Sequence, residues 1–386
     1  MSTNFTPVPL RMVAPQFDST LTDLIIKLDY LRKKPFEGTT HPMVFFQLKR
    51  IFHMLESLGS ARIEGNRTTI AEYIETKFES FATSGDLPHY TEIRNMEEAM
   101  SFIDDNVTDY QINRMFVSEL HKMTVNALLP PPAGEGDPTP GLYRTVAVKI
   151  SRSGHTPPDP YQIQEFMDGL FDFINQEHPQ KYDLLKIAIV HHRFMWIHPF
   201  RNGNGRTGRL LTYALLVKLG FNVKIGHILN PTAIFCNDRN QYYENLTFAD
   251  SGSDEGILAW CTYVLQGLLI EIEKIDRLLN YNYLQKEILL PAIHISLDNQ
   301  IITDLESKIL KRAVDRQVIQ ASDLTDLLPG KAPSEVTRVI NRLKEKKMLM
   351  AEKKNGRKYV IRFDNNYLLR AIMRKLDEKG FLPVKD

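Results

Sequence analysis

A mostly α-helical chain followed by a small, differently patterned C-terminal module is the fold class that three observations predict. Apolar residues recur at spacings of three and four through most of the first 280 positions. Before residue 300 only one short stretch alternates convincingly as a strand would. Beyond Ile302 the order changes to helix, helix, helix, hairpin.

Residues 1–16 carry Pro7, Pro9 and Pro15 and no helical period, which predicts an extended arm. From Thr20 the period begins: Leu21, Leu24, Ile25 and Leu28 share one face, and a second amphipathic run covers 43–58. Further helices are expected at about 67–82, 91–105, 111–127, 160–176, 183–197, 205–219, 239–249 and 255–280. The one strand pair is expected from Val146, Ala147, Val148, Lys149 and Ile150, with a turn at Ser153 and Gly154. In the last part, helices at 304–315, 321–328 and 333–347 precede strands at 348–353 and 357–362 around Asn355 and Gly356. That is the order of a winged helix-turn-helix. The expected division is an N-terminal helical region at 1–110, a core at 111–290, the winged module at 303–365 and a C-terminal helix or tail at 366–386, with a boundary near 290–302.

Composition excludes bulk disorder, with 43% hydrophobic and 25% charged residues. The net charge of +1 conceals an asymmetry, because the chain from Thr303 onward holds 20 Lys/Arg against 12 Asp/Glu. A basic tail end therefore follows an acidic body. Two cysteines, Cys236 and Cys261, are too few for a disulfide framework, and no stretch of about 18 residues is continuously apolar. The expectation is a cytoplasmic protein without a membrane partner.

Residues 198–209 read His-Pro-Phe-Arg-Asn-Gly-Asn-Gly-Arg-Thr-Gly-Arg. Apolar helices on either side make this a loop leading into a helix N-terminus. Gly203 and Gly205 permit positive φ and close backbone approach, so the amides of the first turn can converge on one anion. Arg206 and Arg209, three residues apart, would add two guanidinium forks. His198, at the mouth of this nest, is placed as a general base for an attacking hydroxyl. Gly203 to Gly208 also satisfies the dinucleotide fingerprint G-x-G-x-x-G, but a helix precedes it and no acid follows in the region of 225–229, against that reading. His191, His192 and His198 lack zinc-ligand spacing, and the first two read as packing groups.

The run resembles the Fic family signature His-x-Phe-x-(Asp/Glu)-Gly-Asn-Gly-Arg-x-x-Arg, with flanking support over about 50–280. The resemblance implies the helical Fic fold with a β-hairpin flap. It also implies AMP transfer from ATP, with Mg²⁺, to a Ser, Thr or Tyr hydroxyl of a target protein. By it His198 is the base, and Gly203, Asn204, Gly205, Arg206, Thr207, Gly208 and Arg209 bind ATP. One position departs: Asn202 stands where the family usually has an acidic metal ligand, bringing an oxygen but no charge.

Ser60-Ala61-Arg62-Ile63-Glu64-Gly65 resembles the family's inhibitory motif (Ser/Thr)-x-x-x-Glu-(Gly/Asn). By that resemblance Glu64 pairs with Arg209 and obstructs the productive pose of the γ-phosphate. A bidentate pair is the expected form of the lock. The segment from Val146 to Ile150 takes the place of the family's flap, which receives a target segment by strand addition. Tyr242 and Tyr243 resemble the segment that meets the adenine, although tyrosines at helical spacing are as readily core residues.

The third helix and hairpin of the C-terminal module carry Lys331, Arg338, Arg342, Lys344, Lys346, Lys347, Lys353, Lys354, Arg357 and Lys358. This is an electrostatic footprint for DNA, set against a solvated face used for docking. A second copy of the chain is a further candidate partner. The competing functional readings are a nucleotide-sensing DNA-binding regulator, removal of AMP with Glu64 orienting water, and another phosphoryl transfer.

Overall fold

The computed structural model describes residues 5, 7–33, 39–79, 88–150, 154–221 and 231–382. Sixteen α-helical segments lie among them, and the chain divides into two compact units. The first comprises Met1–Phe36, His53–Thr68 and Gly85–Ile272, and the second Glu37–Phe52, Thr69–Ser84 and Glu273–Asp386.

The first unit holds α1 (Thr20–Lys33), the second half of α2 (Pro42–Glu64), α4 (Pro88–Asn106), α5 (Arg114–Val125), α6 (Ile163–Asn175), α7 (Asp183–Ile197), α8 (Asn204–Lys218), α9 (Pro231–Cys236), α10 (Arg239–Ala249) and most of α11 (Asp254–Leu279). Helix α8 is its axis: every residue from Asn204 to Val217 is buried, and α4, α5, α7 and α9 pack around it. A helix covered on all sides is what Leu210, Leu211, Ala214, Leu215 and Leu216 specify, since they leave no polar face. The same helix carries two arginines into the interior, and buried charge must find partners there. Helix α11 is long and apolar enough to cross a membrane by length and composition alone. Its Trp260, Cys261, Val264, Leu265 and Leu268 are buried in this unit's core.

The second unit holds α3 (Ile70–Glu79), α12 (Tyr281–Tyr283), a π-helical turn Leu284–Leu289, α13 (Leu290–Asp298), α14 (Asp304–Arg316), α15 (Pro333–Glu345) and α16 (Leu368–Glu378). Strands β1 (Ile319–Gln320), β2 (Leu349–Ala351) and β3 (Lys358–Ile361) form an antiparallel sheet in the order β1-β3-β2. Helix α14 opens with a capping box between Thr303 and Glu306, and α15 opens on Pro333.

Three expectations are corrected. The border of the second unit falls at Glu273 rather than near 290–302, because α13 packs on α14 and α16. Pro291 does not break the helical run there, since Leu290 N–H bonds Gln285 O five residues back and the π-turn absorbs the missing donor. The helix expected at 321–328 is a single 3₁₀ turn, Ala321–Leu324. Finally, Val146 to Ile150 forms no paired strand among the described residues, and Ser153 of the expected turn lies outside them. A two-stranded ribbon on its own is marginal in water, which accounts for an unpaired segment.

Candidate active site

Helix α7 ends at His198, whose backbone is left-handed at φ 52° and whose N–H caps Phe194 O at 3.0 Å. The turn throws the imidazole off the helix axis. Five residues on, Gly203 begins α8 at φ 73°, where a side chain would meet Val125 and His121. The amides of Asn204, Gly205 and Arg206 open the helix without a preceding turn to receive them, so this N-terminus offers free donors and the positive end of the helix dipole.

These ends face a cavity of about 500 Å³, lined by His198, Asn202, Gly203, Asn204, Gly205, Arg209, Tyr242, Tyr243, Glu64, Glu135 and the segment from Val148 to Ile150, among others. That volume suits a nucleotide-sized ligand. The His198 Nδ1 donates to Met195 O at 3.3 Å, so Nε2 is left as the acceptor. Burial, reinforced by the Arg144 guanidinium, pulls its pKa down to about 4. The imidazole is therefore neutral and able to take a proton at any pH above about 5.

Arg209, 1% exposed, is held at three points. Its Nε donates to Ser60 Oγ at 2.8 Å, and its Nη2 donates to Ser60 O at 3.0 Å and to Glu64 Oε1 at 2.7 Å. The contact to Glu64 is through one nitrogen, not the bidentate pair expected, because Ser60 occupies Nε. Burial alone would raise the Glu64 pKa, but Arg209 and Arg206 outweigh it and hold the carboxyl below its ordinary value. A Cβ at Gly205 would fall 2.1 Å from Glu64 Oε1, so glycine is required for this acid to reach the helix end.

Several residues expected to bind ATP have side chains engaged within the protein. Gly205 and Arg209, four apart, share the face of α8 that looks on the cavity, and Arg206 lies about 100° further round. Arg206 is fully buried, with Nη1 3.0 Å from Glu92 Oε1 and Nη2 donating to Glu135 O at 2.6 Å. Thr207 returns its hydroxyl to Gly203 O, and Gly208 packs against Phe194 and Met195. The Asn204 side chain binds Phe200 N–H and Phe200 O at 2.9 Å each, bracing the loop and leaving only its backbone to an anion. Of the flap residues, Val148, Lys149 and Ile150 line the cavity, whereas Val146 and Ala147 do not. Tyr242 reaches the cavity with its ring, while its hydroxyl donates to His191 Nε2 at 3.0 Å. His191 Nδ1 in turn meets Thr212 Oγ1 at 2.7 Å, so His191 serves packing.

Sequence reasoning assigned no role to the residues that hold the loop. His121 stacks on Phe200 at 3.7 Å, accepts Gly141 N–H at Nδ1 and so donates from Nε2 to Asn202 O at 3.0 Å. Asp137 Oδ2 accepts Asn202 N–H at 2.9 Å. Arg144 donates to His198 O and Pro158 O, tying the His198 carbonyl to the segment that follows residues 146–150. No periodic signal marks such residues; a lone histidine in a helix and a proline-rich loop look ordinary.

Known proteins share this arrangement of elements. Residues 111–216 match the Fic/DOC family. The chain is 27% identical over 243 residues to a protein adenylyltransferase Fic of Nematostella vectensis, covering 61% of this chain and 52% of that one. It is 31% identical over 207 residues to the Drosophila grimshawi protein of that name, covering 52% and 38%. The aligned part thus spans about half or less of these relatives. Among solved structures, a Fic family protein from Desulfovibrio desulfuricans G20 superposes with TM-score 0.54 at 19% identity, covering 92% of this chain and 98% of the other. A Fic domain-containing signaling protein from Bacteroides thetaiotaomicron VPI-5482 gives 0.52 at 20%, covering 68% and 98%. Both show a shared fold.

Proposed function

We propose that this chain, whose residues 111–216 are a Fic/DOC-family domain, is a protein adenylyltransferase that moves AMP from ATP to a target hydroxyl and is held off by Glu64. The observation that carries the reading is the cavity in which a neutral His198, the α8 N-terminus, Arg209 and Glu64 meet. The amides of α8 take the phosphates. His198 Nε2 removes the proton of a target Ser, Thr or Tyr as its oxygen attacks the α-phosphorus. The new O–P bond forms as the bond from the α-phosphorus to the bridging oxygen of pyrophosphate breaks, and pyrophosphate leaves. Mg²⁺, when bound, neutralises phosphate charge, and Asn202 in the cavity lining brings one oxygen toward it. Val148, Lys149 and Ile150, which line the same cavity as His198, would receive the target segment as an added strand.

The test is labelling by the Glu64→Gly protein with ATP carrying label at the α- or the γ-phosphate. Transfer from α alone supports the reading, and transfer from γ refutes it. In the same assay the pH dependence reports the base. With His198 depressed to about 4, protonation removes activity only as pH falls toward that value, so kcat/KM owes no loss to this group between about pH 5.5 and 8. An acid limb centred near 6.5 would show a solvated imidazole instead.

For the second unit we keep the winged-helix reading and DNA as its partner. The exposed Arg338 and Arg342 of α15, with Lys353, Lys354 and Arg357 of the β2–β3 turn and Lys358 at the start of β3, form a basic surface. Lys331 and Lys346 are spent on Glu335 and Glu306. Alanine at Lys353, Lys354 and Arg357 should weaken binding to unrelated duplexes alike and flatten the log–log salt dependence by about one unit for each phosphate left without its cation. An unchanged slope would assign this face to protein docking. The unpaired Cys236 and Cys261 fit a reducing compartment, and with it a cytoplasmic location.

A further inference from the structure

We infer that Glu135 supplies the negative charge toward Mg²⁺ that Asn202 does not. The assignment rests on the ATP reading above and concerns the metal half of the same site. Asn202 commits both amide protons, donating from Nδ2 to Glu135 Oε2 at 3.3 Å and to Gly136 O at 3.1 Å. Its Oδ1 is therefore the atom it offers a cation, and that oxygen comes with a carboxylate at the same edge of the cavity, which both residues line. A hard cation that takes only one or two carboxylates and completes its shell with phosphate and water suits this donor set. Among the described residues no three His, Cys, Asp or Glu side chains form a metal cluster, so the cation is held jointly with the nucleotide and not in a cage of protein ligands.

The carboxylate is placed by construction. Glu135 sits between Gly134 and Gly136, and a Cβ on either would meet the backbone oxygen of Leu129 or Leu128 at 2.7 or 2.1 Å. Gly136 N–H bonds Leu129 O at 2.8 Å. Arg206 fixes Glu135 from the other side through its carbonyl, and Asn202 is pinned by Asp137 and His121. The carboxylate takes the Asn202 amide at Oε2 and stays open to the cavity. Arg206 Nη2 lies 3.9 Å from Glu135 Oε2, its charge is met by Glu92 at 3.0 Å, and the Glu135 side chain keeps 48% of its exposure. Arg206 thereby becomes a positioning residue for the loop that carries the acid.

Mn²⁺ titration followed by electron paramagnetic resonance, with a non-hydrolysable ATP analogue bound to the Glu64→Gly protein, tests this without reading activity. Glu135→Gln should weaken Mn²⁺ about tenfold or more, while nucleotide affinity measured in EDTA stays put. Adding Asn202→Asp to the Glu135→Gln protein should return the Mn²⁺ affinity, because the charge has moved to the neighbouring side chain. Unchanged Mn²⁺ affinity in Glu135→Gln, or a loss that Asn202→Asp does not repair, overturns the assignment. Failure of the Glu64→Gly protein to bind nucleotide at all overturns the ATP reading and the assignment together.

Discussion

His198→Ala should reduce AMP transfer about a hundredfold or more while ATP still binds within a factor of about two. The asymmetry follows from how the cavity is built. On the proposed reading phosphate is received by the α8 amides and by Arg209, and neither depends on the imidazole, whose ring bonds Met195 O. What disappears is the acceptor that removes the hydroxyl proton as the O–P bond forms. A hundredfold loss corresponds to about 2.7 kcal/mol of transition-state stabilisation, within the usual range for one general base. The left-handed backbone at this position adds a control, because alanine bears φ 52° less easily than histidine or asparagine. His198→Asn tolerates that backbone, so it should keep the fold and nucleotide affinity and still lose transfer. Calorimetric titration with ATP beside labelling of each variant separates the two effects. A fall in affinity as large as the fall in rate would make His198 a structural residue of the loop.

The candidate site was legible in the sequence where it was contiguous. Glycines, a base and arginines within twelve residues, between two apolar helices, announce an anion site before any fold is known, and α7, α8 and α10 lie within a residue of their expected spans. What periodicity could not deliver was the direction of single side chains. Placing Arg206 beside Arg209 relied on a spacing of three, but the cavity lies along the stripe of Gly205 and Arg209, and the fully buried Arg206 turned to Glu92 and the Glu135 loop. Nor could it foresee partners brought in from a distance. Glu135, Asp137 and His121 reach the loop from 65 to 81 positions away, out of a proline- and glycine-rich stretch and a helix whose pattern reads as ordinary. The flap missed for the opposite reason: alternation predicts a strand, but a strand needs a neighbour, and its proposed neighbour belongs to another protein.

The pair of Glu64 and Arg209 carries the other large effect, and the geometry makes it sharper than the motif alone. Removing the Glu64 carboxylate, itself 28% exposed, leaves the buried Arg209 guanidinium with Ser60 alone, an uncompensated charge. Glu64→Gly should therefore destabilise the protein without nucleotide, and ATP should restore much of that stability by giving Arg209 a phosphate in place of the carboxylate. Transfer should rise strongly, on the order of tenfold or more, because the γ-phosphate can now occupy the Nη2 position taken by Glu64 Oε1. Nucleotide affinity should move far less, since the α8 amides are untouched. Arg209→Ala should lose transfer, and in that protein Glu64→Gly should be nearly silent, because the two side chains act as one unit. Glu64 keeps its charge in mild acid, its carboxyl being held below the ordinary value by Arg209 and Arg206. Its contribution is thus present above its unfolded pKa and is lost only as pH falls through the lower folded one, so buffer at about pH 5.5 should not imitate the mutation. Labelling from α-labelled ATP by wild type, Glu64→Gly, Arg209→Ala and the double variant decides the matter. If the two substitutions act multiplicatively and independently, the contact between Ser60, Glu64 and Arg209 is packing at the end of α2 and not a lock.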